Sequence, residues 1–211
     1  MKKIILTGLL SLTSLIATDY VLQIDNQPFS ISTDKTTTIK LNNKIHQVKL
    51  VKKDIQKYTG KYISFDYLSS IQPAIQQINP QVSQLMMATP LGSVILVQEY
   101  DIGNIPADTI YNIMKQELSA DYKANPRKYT ISSNKKISKV LHDGTKLEGI
   151  TYTVHNLEEN HIENTTSLYF ITKNNKSVFV ATVISNSTAD IADKNINNVL
   201  ELFWKTLEIH L

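Results

Sequence analysis

The chain has no cysteine in its 211 residues. This excludes disulfides, a thiol nucleophile, cysteine-based zinc or iron–sulfur sites, and a lipid-modified cysteine behind an export leader. Glycine is scarce, at six residues, and there is no Gly-x-Gly-x-x-Gly, Gly-x-Ser-x-Gly or Gly-Lys-Ser/Thr sequence. The glycine-dependent phosphate loops and the nucleophile elbow are therefore missing. Long apolar runs are also missing after residue 17, so the chain without that segment is expected to be soluble.

The segment before that point is the most informative stretch. Lys2 and Lys3 precede an apolar run from Ile4 to Ala17, broken only by small hydroxyl residues. At about 14 residues the run suits the apolar region of a secretory signal and falls short of the roughly 20 needed to span a bilayer. Residues 1–17 are read as a cleavable signal peptide, with Ala17 the small residue before the cut. Its loss removes Lys2 and Lys3 and no acid, so 20 basic residues face 19 acidic ones and the net charge falls from +3 to +1. A near-neutral product gives no electrostatic case for nucleic acid. The expected location is the periplasm or the extracellular medium, with no integral membrane segment left after cleavage. Abundant Asn, Lys, Ile and Thr, with so short a leader, suggest a bacterial source.

The remaining chain alternates apolar and polar residues over most of its length. Short strands read from residue 19 to 53, with turns at Asp25-Asn26 and Asn42-Asn43, and the N-terminal β-hairpin module is taken as 18–57. Residues 58–211 form the main domain. Tyr62–Tyr67 is a strand, and Pro73 and Pro80 leave 74–79 room for no more than a helical turn. Residues 82–89 and 93–100 flank Pro90-Leu91-Gly92 as a hairpin. The apolar run Val94-Ile95-Leu96-Val97 predicts burial on both faces. A helix covers 107–121, led by Pro106. A meander follows over 129–185, with strands at 129–141, 146–154, 167–172 and 177–185 and a polar connection at 156–164. The last element is a helix from 188 or 189 to 207. Its stripe is Ala192, Ile196, Val199, Leu200, Phe203 and Leu207, and its N-terminal end is supplied by Ser187 or Thr188 with Asp190 and Asp193. The order of strands, helix, strands, helix indicates an α+β fold, an antiparallel β-sheet covered by helices.

Few residues suggest chemistry. His155 and His161 flank an acidic stretch containing Glu158, Glu159 and Glu163, the one histidine–carboxylate cluster; it reads as a metal-binding loop or a solvated hairpin. Neither a metal, a cofactor nor a catalytic residue is assigned. Tyr58, Tyr62 and Tyr67 lie around one strand and either line a ligand groove or pack at the core edge. Trp204 follows the core residue Phe203 and sits at a helix–sheet boundary or, if exposed, serves as an interaction anchor. These four are the candidate ligand or partner surface.

The segment Val178-Phe179-Val180-Ala181-Thr182-Val183, a polar loop, and a helix ending Phe203-Trp204-Lys205-Thr206-Leu207-Glu208-Ile209 resemble the end of PsbP-like domains. Such domains close on a strand and a helix with a Phe-x-x-Ser-Leu/Phe ending. Tyr62–Tyr67, the hairpin ending Val97-Gln98-Glu99-Tyr100, Asp143-Gly144 and Gly149-Ile150-Thr151-Tyr152 match the middle, so the resemblance spans roughly 58–211. Thr206 stands where Ser is usual. The resemblance implies an α/β/α sandwich and exported, non-catalytic accessory roles, and supplies no catalytic residues. The expected function is that of an exported accessory or binding protein whose partner is an envelope or secreted protein or a small ligand. The alternative is an extracytoplasmic hydrolase with a dispersed active site.

Overall fold

The computed structural model describes residues 20–24, 26–31, 35–51, 53–103, 105–186 and 194–211. The proposed leader, Ala192, and the expected helix start at Ser187, Thr188, Asp190 and Asp193 lie outside the described residues. The chain divides into two compact units, residues 1–53 and 54–211.

The first unit holds two hairpins. Strands β1 (Tyr20–Ile24) and β2 (Gln27–Ile31) pair antiparallel, as do β3 (Thr36–Leu41) and β4 (Lys44–Lys49). Asn42 and Asn43 join the second pair with φ of 49° and 60°. Two left-handed residues give a hairpin turn whose twist matches the strands, and Asn tolerates that region better than most side chains. Ile31 and Ile39 are buried.

The second unit opens with β5 (Ile55–Thr59), which pairs with β6 (Ile63–Leu68). Residues 54–57, assigned from the sequence to the N-terminal module, therefore belong here by pairing. Next come β7 (Ala74–Asn79), β8 (Val82–Ala88) and β9 (Val94–Tyr100), helices α1 (Ala107–Leu118) and α2 (Ala120–Lys123), and strands β10 (Tyr129–Ile131) and β11 (Lys135–Val140). The unit closes with β12 (Lys146–Asn156), β13 (His161–Lys173), β14 (Lys176–Ser185), α3 (Lys194–Thr206) and β15 (Glu208–Ile209). An eight-stranded antiparallel sheet runs β10-β12-β13-β14-β9-β8-β7, with β11 also on β12. A smaller sheet runs β15-β6-β5.

Several expectations change. Residues 74–79 form an edge strand, not a helical turn: Pro73 and Pro80 lie outside it, so neither removes a ladder hydrogen bond. The single strand expected at 129–141 is two, because Ser132–Asn134 interrupt pairing while β10 and β11 share β12. The polar connection at 156–164 shrinks to residues 157–160, with Asn160 at φ 50°; Asn156 ends β12 and 161–164 open β13. The first helix breaks at the buried Ser119.

Alternation along the central strands builds two apolar clusters. Ile95 and Val97 of β9 and Val178 and Val180 of β14 join Phe65 of β6 and Ile196, Val199 and Phe203 of α3. Leu96, Phe179 and Ala181 join Leu168 of β13 and Ile110, Tyr111 and Met114 of α1. The expected burial of Ile95, Leu96 and Val97 on both faces is thus observed. Phe203 is fully buried, its ring edge-on to Phe65 at 4.9 Å between centroids.

Gly149 of β12 marks a tight point. A Cβ there would lie 2.2 Å from the Leu168 carbonyl oxygen on β13. Gly149→Ala must move backbone, and overpacking of this kind costs about 1–3 kcal/mol. Urea unfolding should show a lowered midpoint; an unchanged midpoint would contradict the close strand approach.

Candidate functional site

Burial on both faces constrains what β9 can carry beyond its apolar run. Gln98, on the α1 face, is satisfied by side chains: it accepts from the Tyr100 hydroxyl and donates to Gln84 at 2.7 Å. Glu99 continues the opposite face, the one formed by Ile95 and Val97. Its register partners are Ser83 on β8 and Val178 on β14. The result is a carboxylate only 6 % exposed at the end of an apolar row.

The β5–β6 loop closes over this carboxylate. The Tyr62 backbone N–H donates to Glu99 Oε1, and Ser83 Oγ donates to Oε2 at 3.1 Å. Gly60 makes the approach possible. A Cβ at Gly60 would stand 2.9 and 3.0 Å from the two Glu99 oxygens and 3.0 Å from Tyr58 Cε1. The carboxylate, the loop and the β7–β8 hairpin enclose a groove of about 430 Å³. Tyr58 and Tyr62 form its aromatic wall, Ile75 and Pro80 its apolar rim, and Glu99 and Asp101 its acidic groups.

The groove's two acids sit differently. Asp101 is exposed and paired: Lys61 Nζ lies 2.5 Å from Oδ2, and the Tyr62 hydroxyl donates to Oδ1 at 2.9 Å. These bonds, Lys61 foremost, hold the Asp101 carboxyl below its usual value and raise Lys61 above its own. Lys61 and Lys176 also lie over the Tyr62 ring, at 5.2 and 5.0 Å. Burial, and then the nearby Glu99 charge, pushes the Tyr58 hydroxyl up; burial, and then its hydrogen bond to Asp101, does the same to Tyr62.

Two of the four aromatic candidates meet here. Tyr58 and Tyr62 line the groove, although Tyr62 is itself buried in the core cluster. Tyr67 does not line it; its hydroxyl donates to Gln56 at 2.8 Å and its ring meets Phe65 edge-on. Trp204 is half-buried against Tyr169 and Phe203, with Lys139 Nζ 4.7 Å from its ring. This is the helix–sheet boundary position. Glu99, Gly60, Ser83 and Asp101 were not singled out from the sequence. The available signal was an acid at 99 in phase with Ile95 and Val97.

Two other polar clusters contain histidine. His161 lies between Glu159, at 3.4 Å, and Glu163, at 3.3 Å, whereas His155 turns to Thr153 at 2.9 Å. The histidines flanking that loop are thus not brought together. Ser64 donates to Glu208 at 2.8 Å and lies 3.4 Å from His210 Nε2, with His142 3.8 Å from Glu208. A nucleophilic serine gives its proton to a histidine that an acid orients from the other ring nitrogen. Here the buried Ser64 gives its proton to the acid, and the same Nε2 faces both groups. Among the described residues no group of three or more His, Cys, Asp or Glu has an arrangement that could hold a metal ion.

No protein-family model matches the chain, and no curated protein matches it by sequence. Among solved structures it is similar to the solution structure of cyanobacterial PsbP (CyanoP) from Synechocystis sp. PCC 6803. The TM-score is 0.48 with 11 % identity, covering 74 % of this chain and 93 % of that one. A likeness of that size carries nothing to the site described here.

The Asp101 bonds give a pH prediction. A carboxyl whose folded-state value is lowered stabilises the fold above its unfolded value, usually 3.8, and loses that contribution as pH falls through the folded value. Asp101→Asn should therefore unfold at lower urea than wild type at neutral pH, with the gap closing in acid well below 3.8. A gap that persists unchanged in acid would contradict it.

Proposed function

We propose that this chain is an exported, non-catalytic accessory or binding protein that works through the groove above Glu99. The single observation supporting binding there is a buried carboxylate facing an open groove of about 430 Å³, a size suited to a small ligand or an inserted side chain. Export to the periplasm or the medium rests on Lys2, Lys3 and the apolar run to Ala17. Among the described residues no helix is long and apolar enough to cross a membrane. The partner is an envelope or secreted protein, or a small ligand. A PsbP-like α/β/α layering of residues 58–211 is part of this reading; apolar clusters joined by α3 on one face and α1 on the other support it. Hydrolysis is the weaker reading, because the nearest serine–histidine pair, Ser64 and His210, has its proton directed to Glu208.

Two measurements test this proposal. Expression of the full chain in a bacterial host should yield an extracytoplasmic product whose N-terminal residue is Thr18; a full-length chain confined to the cytosol contradicts export. A library of charged and neutral small compounds, screened by NMR on the exported protein, should give ligands that shift the amides of Gly60, Tyr62 and Ser83. Gly60→Ala should abolish those shifts, because its Cβ displaces the carboxylate. Ligands that shift only amides remote from the groove contradict the groove reading.

A further inference from the structure

The groove is chemically one-sided at its floor. Glu99 is buried, and both groups hydrogen-bonded to it, the Tyr62 N–H and the Ser83 hydroxyl, are neutral. None of the ion pairs among the described residues includes Glu99. Lys61, the lysine that lines the groove, is held by Asp101 at 2.5 Å and lies over the Tyr62 ring. Lys176 packs on the same ring and, with Lys61, adds to the positive field at Asp101. The two nearby cations are thus both engaged at Asp101 and Tyr62. An ionised carboxylate offers about four acceptor positions, and neutral donors occupy two. A buried carboxylate without a counter-charge is unfavourable, and a bound cation would supply one.

We propose that the groove binds an organic cation, an ammonium group on an aliphatic stem, with the charged head on Glu99. This inference rests on the groove being the binding site. Three features suit that ligand. The free acceptor positions of Glu99 take the charged N–H groups in charge-assisted hydrogen bonds. The Tyr58 ring lines the same groove, its Cε1 close to Gly60 where Gly60 abuts the Glu99 oxygens, and adds cation–π attraction to the head. Ile75, 62 % exposed on edge strand β7, and Pro80 give the stem an apolar surface. A carboxylate or phosphate ligand would meet Glu99 at close range and is disfavoured by repulsion. The same chemistry occurs in a free polyamine and in a lysine side chain of a partner, so both sources are probed.

The test is an NMR titration of the exported protein with four probes: Nα-acetyl-lysine methylamide, spermidine, and the norleucine and glutamate analogues of the first. The lysine compound or spermidine should shift the Gly60, Tyr62 and Ser83 amides saturably, and the norleucine compound, with a similar stem and no charge, should not. A response to the lysine compound alone identifies a side chain as the source; a response to spermidine alone identifies a free amine. Glu99→Gln should weaken binding at least about tenfold, the scale of a lost hydrogen bond to a charged group. The norleucine comparison uses only wild-type protein, so it stands even if that variant folds poorly. Binding of the norleucine or glutamate compound in the groove, with no response to either cation, overturns the cation assignment and leaves the groove reading intact. If no probe shifts these amides, the cation assignment is overturned, and the broader screen decides the groove on its own.

Discussion

Much of the second unit's architecture follows from one constraint, the burial of strand β9 on both faces. Ile95, Leu96 and Val97 are each under 8 % exposed, and their alternation assigns one apolar cluster to each side of the sheet. α3 and the β5–β6 sheet cover one side, and α1 covers the other. A strand so placed has no solvent to turn to when its sequence becomes polar. Gln98 solves this with side-chain partners from β8 and from its own strand. Glu99 solves it only halfway, with two neutral donors, and that incomplete solution defines the site.

The β5–β6 loop is shaped around this carboxylate. Gly60 provides the space, the Tyr62 N–H the hydrogen bond, and Lys61 the closing ion pair with Asp101. Lys61 occupies Asp101 and so does not neutralise its deeper neighbour. The carboxylate is thereby held in place by the fold itself, and preorganisation of this kind would lower the cost of the proposed binding. The second acid has the opposite role: exposed and paired, Asp101 anchors the loop.

Much of this fold was legible in the sequence, and the reasons for the failures are physical. Much of β6 was legible from period-2 alternation, β9 from its continuous apolar run, and the β8–β9 connection from Pro90-Leu91-Gly92, because those signals are local. The strand at Ala74–Asn79 was hidden because all six residues are exposed at a sheet edge, so burial left no pattern. Strand β5 was hidden because the module boundary at 57/58 was drawn through it, separating most of the strand from its partner β6. At the site, Tyr58 and Tyr62 were legible as amphipathic aromatics near a strand. Glu99 was not singled out. Its burial depends on Val178, its register partner on β14 far along the chain, and on the β5–β6 loop with Gly60, neither of which a local pattern reveals.

The most direct test of the central claim is a crystal structure of the protein with Nα-acetyl-lysine methylamide. The account predicts the ligand ammonium within hydrogen-bond distance of a Glu99 oxygen, roughly 2.7–2.9 Å, with its stem along Ile75 and Pro80 and the Lys61–Asp101 pair retained. A groove left empty, or a Lys61 side chain turned from Asp101 onto Glu99 in place of the ligand, would contradict it.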